Sequence, residues 1–160
     1  MLNIKIICIG KLKEAFFADA AAEYIKRLGG YCRLEIDELP EIRLPAVPSE
    51  AEKDGALLRE AERIIPRVPK DAVVIAMCVE GKEIDSLQFS EFMSACANRG
   101  KNKLCFIIGG SFGLHETIKQ QATLRMSMSK LTFPHHLARI MLLEQLYRGF
   151  KIEEGSKYHK

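Results

Sequence analysis

Residues 103–113 read KLCFIIGGSFG, an apolar run that passes directly into a glycine-rich turn. The run at 103–109 is short and lacks polar alternation, which is typical of a strand buried on both faces of a parallel sheet. The turn at 109–113 precedes a helical pattern at 114–123, and its glycines would let backbone N–H groups approach a ligand. Because the turn matches neither the dinucleotide-binding fingerprint nor a P-loop, a plain strand–helix connection stays open as the alternative.

Three further runs predict strands. Leu2–Ile9 and residues 72–79 are continuously apolar, whereas residues 31–39 alternate and predict a strand with one wet face. Between the runs, helical spacing predicts helices at Ala15–Leu28 and Ser86–Asn98. A further helix is predicted to begin at the capping box Ser49-x-x-Glu52 and to end before Pro66. The alternation of strands and helices predicts an α/β fold, with one three-layer domain over residues 1–160 and a mostly parallel sheet.

A second glycine turn is predicted at residues 79–82, which read VEGK and follow the run at 72–79. Glycine turns at the ends of two adjacent strands would form two walls of one pocket. Lys82 by itself is interpreted as a solvated surface residue.

The composition is that of an ordinary globular domain. The 160 residues are 48% hydrophobic and 28% charged, which argues against disorder and fibrous structure. Lys and Arg exceed Asp and Glu by 24 to 21, and this net charge of +3 permits a nucleic-acid partner without requiring one. Five scattered cysteines predict neither disulfides nor zinc, and the lack of a long apolar run or leader pattern predicts a cytoplasmic protein with no membrane partner.

The last long helix is predicted from His135 to about Gly149, with Pro134 at its start. Apolar residues cover most of its circumference, more than one small sheet can bury, so we expect a homodimer. Arg139 falls within the apolar arc and must find a carboxylate or an anionic ligand. His135 and His136 are adjacent and have no carboxylate at ligand spacing, so no metal site is expected.

A short basic tail follows this helix, formed by Lys151 and the terminal residues 156–160. It contains Lys157, Tyr158, His159 and Lys160. Chain ends are usually inert, which is one interpretation. The other is a nucleic-acid contact in which lysines meet phosphate, an aromatic ring stacks on a base and an imidazole moves a proton.

Taken together, these motifs resemble one family. They are KLCFIIGGSFG at 103–113, SMSKLTFPH at 127–135, residues 144–150 with the terminal Tyr158-His159-Lys160, IGKLK at 9–13, and residues 23–28. The chain is similar along its whole length to the ribosomal RNA large subunit methyltransferase H family, enzymes of the SPOUT class. The resemblance implies methyl transfer from S-adenosylmethionine to N3 of pseudouridine 1915 in 23S rRNA on the ribosome, by a homodimer with a C-terminal trefoil knot.

The resemblance also assigns site residues. The implied cofactor contacts are Met77, Gly109, Met128, Ser129, Lys130, Leu131, Thr132 and Phe133. Our hypothesis gives His159 the proton-accepting role, Tyr158 a base-stacking or orienting role and Arg148 the role of holding an anion or phosphate. One subunit's tail could complete the other's site. The alternatives are a SPOUT methyltransferase of another RNA and a non-catalytic ribosome-binding module.

Overall fold

The computed structural model describes residues 1–159, so Lys160 of the predicted tail lies outside the described residues. The strands are β1 Leu2–Ile9, β2 Cys32–Leu39, β3 Val73–Glu83, β4 Lys103–Ile108 and β5 Leu124–Ser127. The α-helices are α1 Ala15–Leu28, α2 Glu50–Ile64, α3 Ser86–Asn98, α4 Glu116–Gln121 and α5 His135–Glu153. Single 3-10 turns lie at Ile65–Arg67 and Lys157–His159. Within the described residues, no helix is long and apolar enough to cross a membrane.

The strands form one sheet in the order β2-β1-β4-β3-β5, and every neighbouring pair is parallel. The two faces of the sheet bury different helices. Ile4 and Ile6 of β1 share a core with residues of α1, α3 and α5, while Ile7 and Ile9 pack with residues of α2 and α4. This confirms the predicted three-layer α/β fold with its parallel sheet.

The starts of α2 and α3 follow from side-chain caps. The Ser49 hydroxyl accepts the Glu52 N–H at 3.1 Å and starts α2, as the capping box predicts. Asp85 and Gln88 form a reciprocal capping box at the start of α3. These local contacts explain why the predicted bounds of both helix starts agree with the structure.

The predicted turn at 79–82 is wrong. β3 continues through this segment to Glu83 by way of a bulge, so that Met126 of β5 lies opposite both Met77 and Lys82. Gly81 is needed because a Cβ there would lie 2.7 Å from the Met126 carbonyl carbon. The glycine therefore permits a close backbone approach of β5 and does not form a turn.

Arg139 is buried in α5 with 3% exposure, and the expected carboxylate partner is Glu38 at the end of β2. Its Nη1 lies 2.6 Å from a Glu38 oxygen, and its Nη2 donates to the Gly10 carbonyl at 2.8 Å. One side chain thus joins α5 to the carboxyl ends of β1 and β2.

We expect Arg139→Gln to lower the free energy of unfolding by about 3 kcal/mol, because removing one partner leaves Glu38 and the Gly10 carbonyl without their donor. This is the lower end of the range for buried pairs, since Glu38 stays 35% exposed. Urea denaturation measures the change. Arg59→Gln on the exposed face of α2 is the matched control, and equal stabilities for the two variants would contradict the prediction.

Candidate active site

A cavity of about 860 Å³ lies at the carboxyl ends of β3, β4 and β5. Parallel α/β sheets bind ligands at this edge, where strand ends and the following loops converge. Three segments supply most of its walls: the turn after β4, the segment joining β5 to α5, and the bulged part of β3. The predicted pocket therefore exists, although its β3 wall is a bulged strand and not a turn.

The turn after β4 is held by backbone contacts. The Gly113 N–H donates to the Gly110 carbonyl at 3.1 Å, and Gly113 has a φ of 82°, in the left-handed region. A Cβ on Gly109 would collide with the Gly113 carbonyl. The Ser111 N–H donates to a Glu41 carboxylate oxygen at 3.1 Å, which ties the outside of the turn to the segment after β2. Only glycine fits at position 109, and it leaves the backbone of the turn exposed to the cavity.

The segment between β5 and α5 is shaped by its own serines. The Ser127 hydroxyl donates to the Ser129 carbonyl at 2.8 Å, and the Ser129 hydroxyl accepts the Leu131 N–H at 3.0 Å. Leu131 is 70% exposed at the rim of the cavity. These bonds hold an irregular loop in a defined curve around the cavity.

An ion pair lines the β3 side of the cavity. Lys119 of α4 pairs with Glu80 in the β3 bulge. Its hydrogen bond is the main reason why the pKa of Glu80 is lowered. His135, at the start of α5, also lines the cavity, and burial lowers its pKa. The cavity is thus largely apolar, with one carboxylate–ammonium pair and one imidazole of lowered pKa.

The structure brings together seven of the eight residues predicted to contact the cofactor. Those that line the cavity are Met77, Gly109, Met128, Ser129, Leu131, Thr132 and Phe133. Lys130 is exposed and is not part of the cavity lining. Residues from three different strand ends therefore meet around one space, as a ligand site requires.

The predicted catalytic residues Arg148 and Tyr158 form a separate cluster around Glu144. Arg148 Nη2 lies 2.6 Å from a Glu144 oxygen, and the Arg148 guanidinium carbon lies 4.9 Å from the centre of the Tyr158 ring. The ion pair raises the pKa of Arg148, and burial raises the pKa of Tyr158. His159 is exposed, and none of the three lines the 860 Å³ cavity.

The chain matches the family model described as a predicted SPOUT methyltransferase over residues 2–159. The chain belongs to the SPOUT methyltransferase family. It is 46% identical over 159 residues to "Ribosomal RNA large subunit methyltransferase H" of Streptococcus equi subsp. zooepidemicus, covering 99% of this chain and 100% of the relative. It is also 46% identical over 149 residues to "Ribosomal RNA large subunit methyltransferase H 1" of Thermoanaerobacter pseudethanolicus, covering 93% and 96% of the two chains.

A solved structure of a probable methylase family protein from Haemophilus influenzae is similar in fold. Its TM-score is 0.55 at 18% sequence identity, and the match covers 99% of this SPOUT chain and 71% of the other. At this identity the likeness concerns the fold alone. It agrees with the mostly parallel α/β sheet found here.

At the level of the sequence, Glu144 has no predicted role of its own and is included only in the motif at 144–150. Glu144 accepts from Arg148 one turn later and lies 3.4 Å from the Tyr158 hydroxyl. The spacing of four residues between Glu144 and Arg148 is the signal that could have found the pair. Its side chain also borders a smaller cavity of about 370 Å³, which shares Met126 and Met128 with the larger one.

The side chains of His135 and His136, the first two residues of α5, have ring centres 3.9 Å apart. Across residues 1–159 of this SPOUT methyltransferase, no group of three or more His, Cys, Asp or Glu side chains is placed to hold a metal ion.

Proposed function

We propose that this chain is an S-adenosylmethionine-dependent methyltransferase of large-subunit ribosomal RNA that modifies N3 of pseudouridine 1915 in 23S rRNA on the ribosome. The full-length similarity to proteins named ribosomal RNA large subunit methyltransferase H supports the substrate class. The observation that carries the proposal is the cavity where seven predicted cofactor residues meet. A ribosomal substrate also places the proposed enzyme in the cytoplasm.

The cavity suits S-adenosylmethionine in size and chemistry. Its volume of about 860 Å³ lies within the range of small-ligand sites, roughly 300–1,000 Å³. The apolar side chains of Met77, Met128 and Phe133 suit a flat adenosyl group, while the Glu80–Lys119 pair suits the charged amino-acid end. When bound, this cofactor supplies an electrophilic methyl group.

The chain's own task is to prepare N3 of the base. This nitrogen carries a proton, and its lone pair is free to react only after the proton has left. In the proposal the His159 imidazole accepts that proton, Tyr158 stacks on or orients the base, and Arg148 stabilises the anion that forms. Arg148 is held ready for this by its ion pair with Glu144.

We further propose a homodimer in which the tail of one subunit supplies the catalytic side chains of the other subunit's active site, next to its cofactor cavity. Within one chain, Arg148 and Tyr158 contact the later half of α5, whereas the cavity is lined by residues at the start of that helix. Leu137, Ile140 and Met141 leave part of an apolar face of α5 open between these two regions. A second copy packed antiparallel on this face would bring each tail to the other cavity.

The proposal includes the trefoil knot that the resemblance implies. β5 pairs at the edge of the sheet, yet α5 directly after it packs back under the central strands against α1 and α3. The connection at 128–134 therefore runs from the edge strand β5, along the cavity that it lines, to the sheet face covered by α1 and α3. This path is compatible with threading of the chain, a feature that is rare among folds.

Methylation of assembled ribosomes tests the proposed function. The purified protein is incubated with ribosomes, transfer RNA and isotopically labelled S-adenosylmethionine, and the labelled nucleotide is mapped by mass spectrometry. We expect the label on N3 of that pseudouridine in 23S rRNA. Label in transfer RNA would overturn the choice of substrate. Ribosome binding without any calorimetric cofactor binding would identify a non-catalytic ribosome-binding module.

A further inference from the structure

A third cavity, of about 740 Å³, lies beside the proposed active site at the carboxyl ends of β1 and β2. Ser111, Phe112, His135 and His136 line both this cavity and the cofactor cavity. A molecule lying in the third cavity would therefore end at the mouth of the cofactor cavity. We call the third cavity the basic groove.

Four cationic side chains line the basic groove. Lys11 and Lys13 come from the loop after β1, Arg43 from the segment after β2, and Lys53 from α2. Lys11, Lys13 and Arg43 are exposed, and within residues 1–159 none of them forms an ion pair with a carboxylate. Three cations thus face solvent from two separate segments of the chain.

The carboxylates of the groove are Glu14, Glu41 and Glu60. Glu41 accepts the Ser111 N–H at 3.1 Å, and Glu60 accepts the Ile42 N–H at 3.2 Å. Glu60 is 5% exposed, and burial raises its pKa. Glu41 and Glu60 therefore hold the backbone that shapes the groove. Glu14 and Glu41 are themselves exposed, but the exposed cations Lys11, Lys13 and Arg43 outnumber them.

An exposed aromatic ring lies at the boundary between the two cavities. Phe112 is 47% exposed and extends from the glycine turn, with Lys53 Nζ 5.3 Å from its ring centre. Cations that follow a backbone and an aromatic face that accepts a base are the two parts of a single-stranded nucleic-acid site. An acidic protein segment would use the cations but not the ring.

We propose that the basic groove binds the RNA strand next to the target nucleotide, with Lys11, Lys13 and Arg43 on its phosphates and Phe112 against a flanking base. This inference rests on the proposed function and adds the path by which the substrate reaches the cofactor cavity. The contacts depend on phosphate charge, so they position the strand and leave the choice of base to the cavity itself.

The test compares Lys11→Gln/Lys13→Gln/Arg43→Gln with Lys70→Gln/Arg99→Gln/Lys101→Gln. The control removes the same number of positive charges from exposed residues that precede β3 and β4. These residues lie at the amino ends of the strands, whereas the groove lies at the carboxyl ends. We expect the groove variant to raise the KM for ribosomes at least about tenfold, with kcat and calorimetric S-adenosylmethionine affinity unchanged. For protein-free 23S rRNA, the slope of log affinity against log salt concentration should become less negative by about 2. This is the change expected when three contacts to single-strand phosphates are lost.

The outcomes separate this inference from the proposed function. If the wild type methylates ribosomes but the groove variant and the control have equal KM and salt dependence, the groove does not bind RNA. If the groove variant binds protein-free 23S rRNA normally but intact ribosomes weakly, the groove contacts a ribosomal protein, and the inference is overturned. Failure of the wild type to methylate any ribosomal RNA would reject the proposed function itself. Thermal melting of all three proteins confirms that they are folded.

Discussion

Gly109→Ala is expected to reduce the affinity for S-adenosylmethionine at least about a hundredfold, which corresponds to roughly 3 kcal/mol. The added Cβ would lie 2.5 Å from the Gly113 carbonyl carbon and closer still to its oxygen. Both obstacles are backbone atoms, so no side-chain rotation can relieve the collision. The turn must open, and the wall of the cavity moves with it. Overpacking of this kind also costs about 1–3 kcal/mol of fold stability.

Isothermal titration calorimetry with S-adenosylmethionine measures the loss, and urea denaturation measures stability. Gly55→Ala is the matched control, because its new Cβ meets nothing within 4 Å. It lies within α2, where alanine is favoured over glycine by up to about 1 kcal/mol. A Gly109→Ala protein that binds the cofactor as tightly as the wild type would show that the turn is only a strand–helix connection.

Removal of residues 156–160 is expected to lower the turnover of ribosome methylation by about 10² or more while leaving cofactor affinity within about threefold. The reason is the separation of the two regions: Tyr158 contacts Glu144 and Arg148, and no described tail residue lines the cofactor cavity. Single-turnover kinetics and calorimetry on the truncated chain measure the two quantities. His159→Gln and Tyr158→Phe should each reproduce part of the loss, whereas the exposed Lys157→Gln serves as the control. Normal turnover by the truncated chain would remove the tail from the mechanism.

A mixing experiment decides whether the tail acts on its own chain or on the partner. Equal amounts of the truncated chain and the folded Gly109→Ala chain are unfolded, combined and refolded. If tails act across the dimer, each mixed dimer has one complete site, and about a quarter of wild-type activity returns. If the tail serves its own chain, no mixed dimer contains a complete site and activity stays at background.

Elements with a strong local pattern could be predicted from the sequence. The predicted bounds of β1, α1 and α3 agree with the structure residue for residue. The signals in the sequence are a continuous apolar run in β1, a helical stripe ended by Gly29 in α1, and the closing Gly100 in α3. The structure adds the Asp85 cap at the start of α3. Where the side-chain pattern and the capping residues indicate the same element, the tertiary structure does not shift the bounds of that element.

Elements defined by pairing could not be predicted in this way. β5 is four residues long and carries no clear alternation, so only its partner β3 makes it a strand. The extension of β3 to Glu83 likewise depends on Met126 lying opposite two of its residues. Gly81 is predicted to lie in a turn, because the sequence alone does not distinguish a glycine in a bulge from a glycine in a turn.

The segments of the candidate site could be predicted from the sequence, but their arrangement in space could not. Its glycine turn and its SMSKLTF segment were predicted from motifs, but their meeting around one cavity depends on β4, β3 and β5 lying side by side. The partner of Arg139 is 101 residues away at Glu38. The separate cluster of Glu144, Arg148 and Tyr158 is equally a result of the return of the tail onto α5.

The sequence by itself determined the layered α/β class and the starts of α1, α2, α3 and α5, because apolar periodicity, caps and glycine turns act over a few neighbouring residues. The predicted helix at 114–123 begins only at Glu116 in the structure, and the residues of a methyl-donor site came from the resemblance of the motifs to a family. Only the tertiary structure decided which strand ends share an edge, which cations face the same groove and how far the tail lies from the cavity in one chain. Those arrangements arise from packing between distant segments, whose free energy exists only once the sheet has assembled.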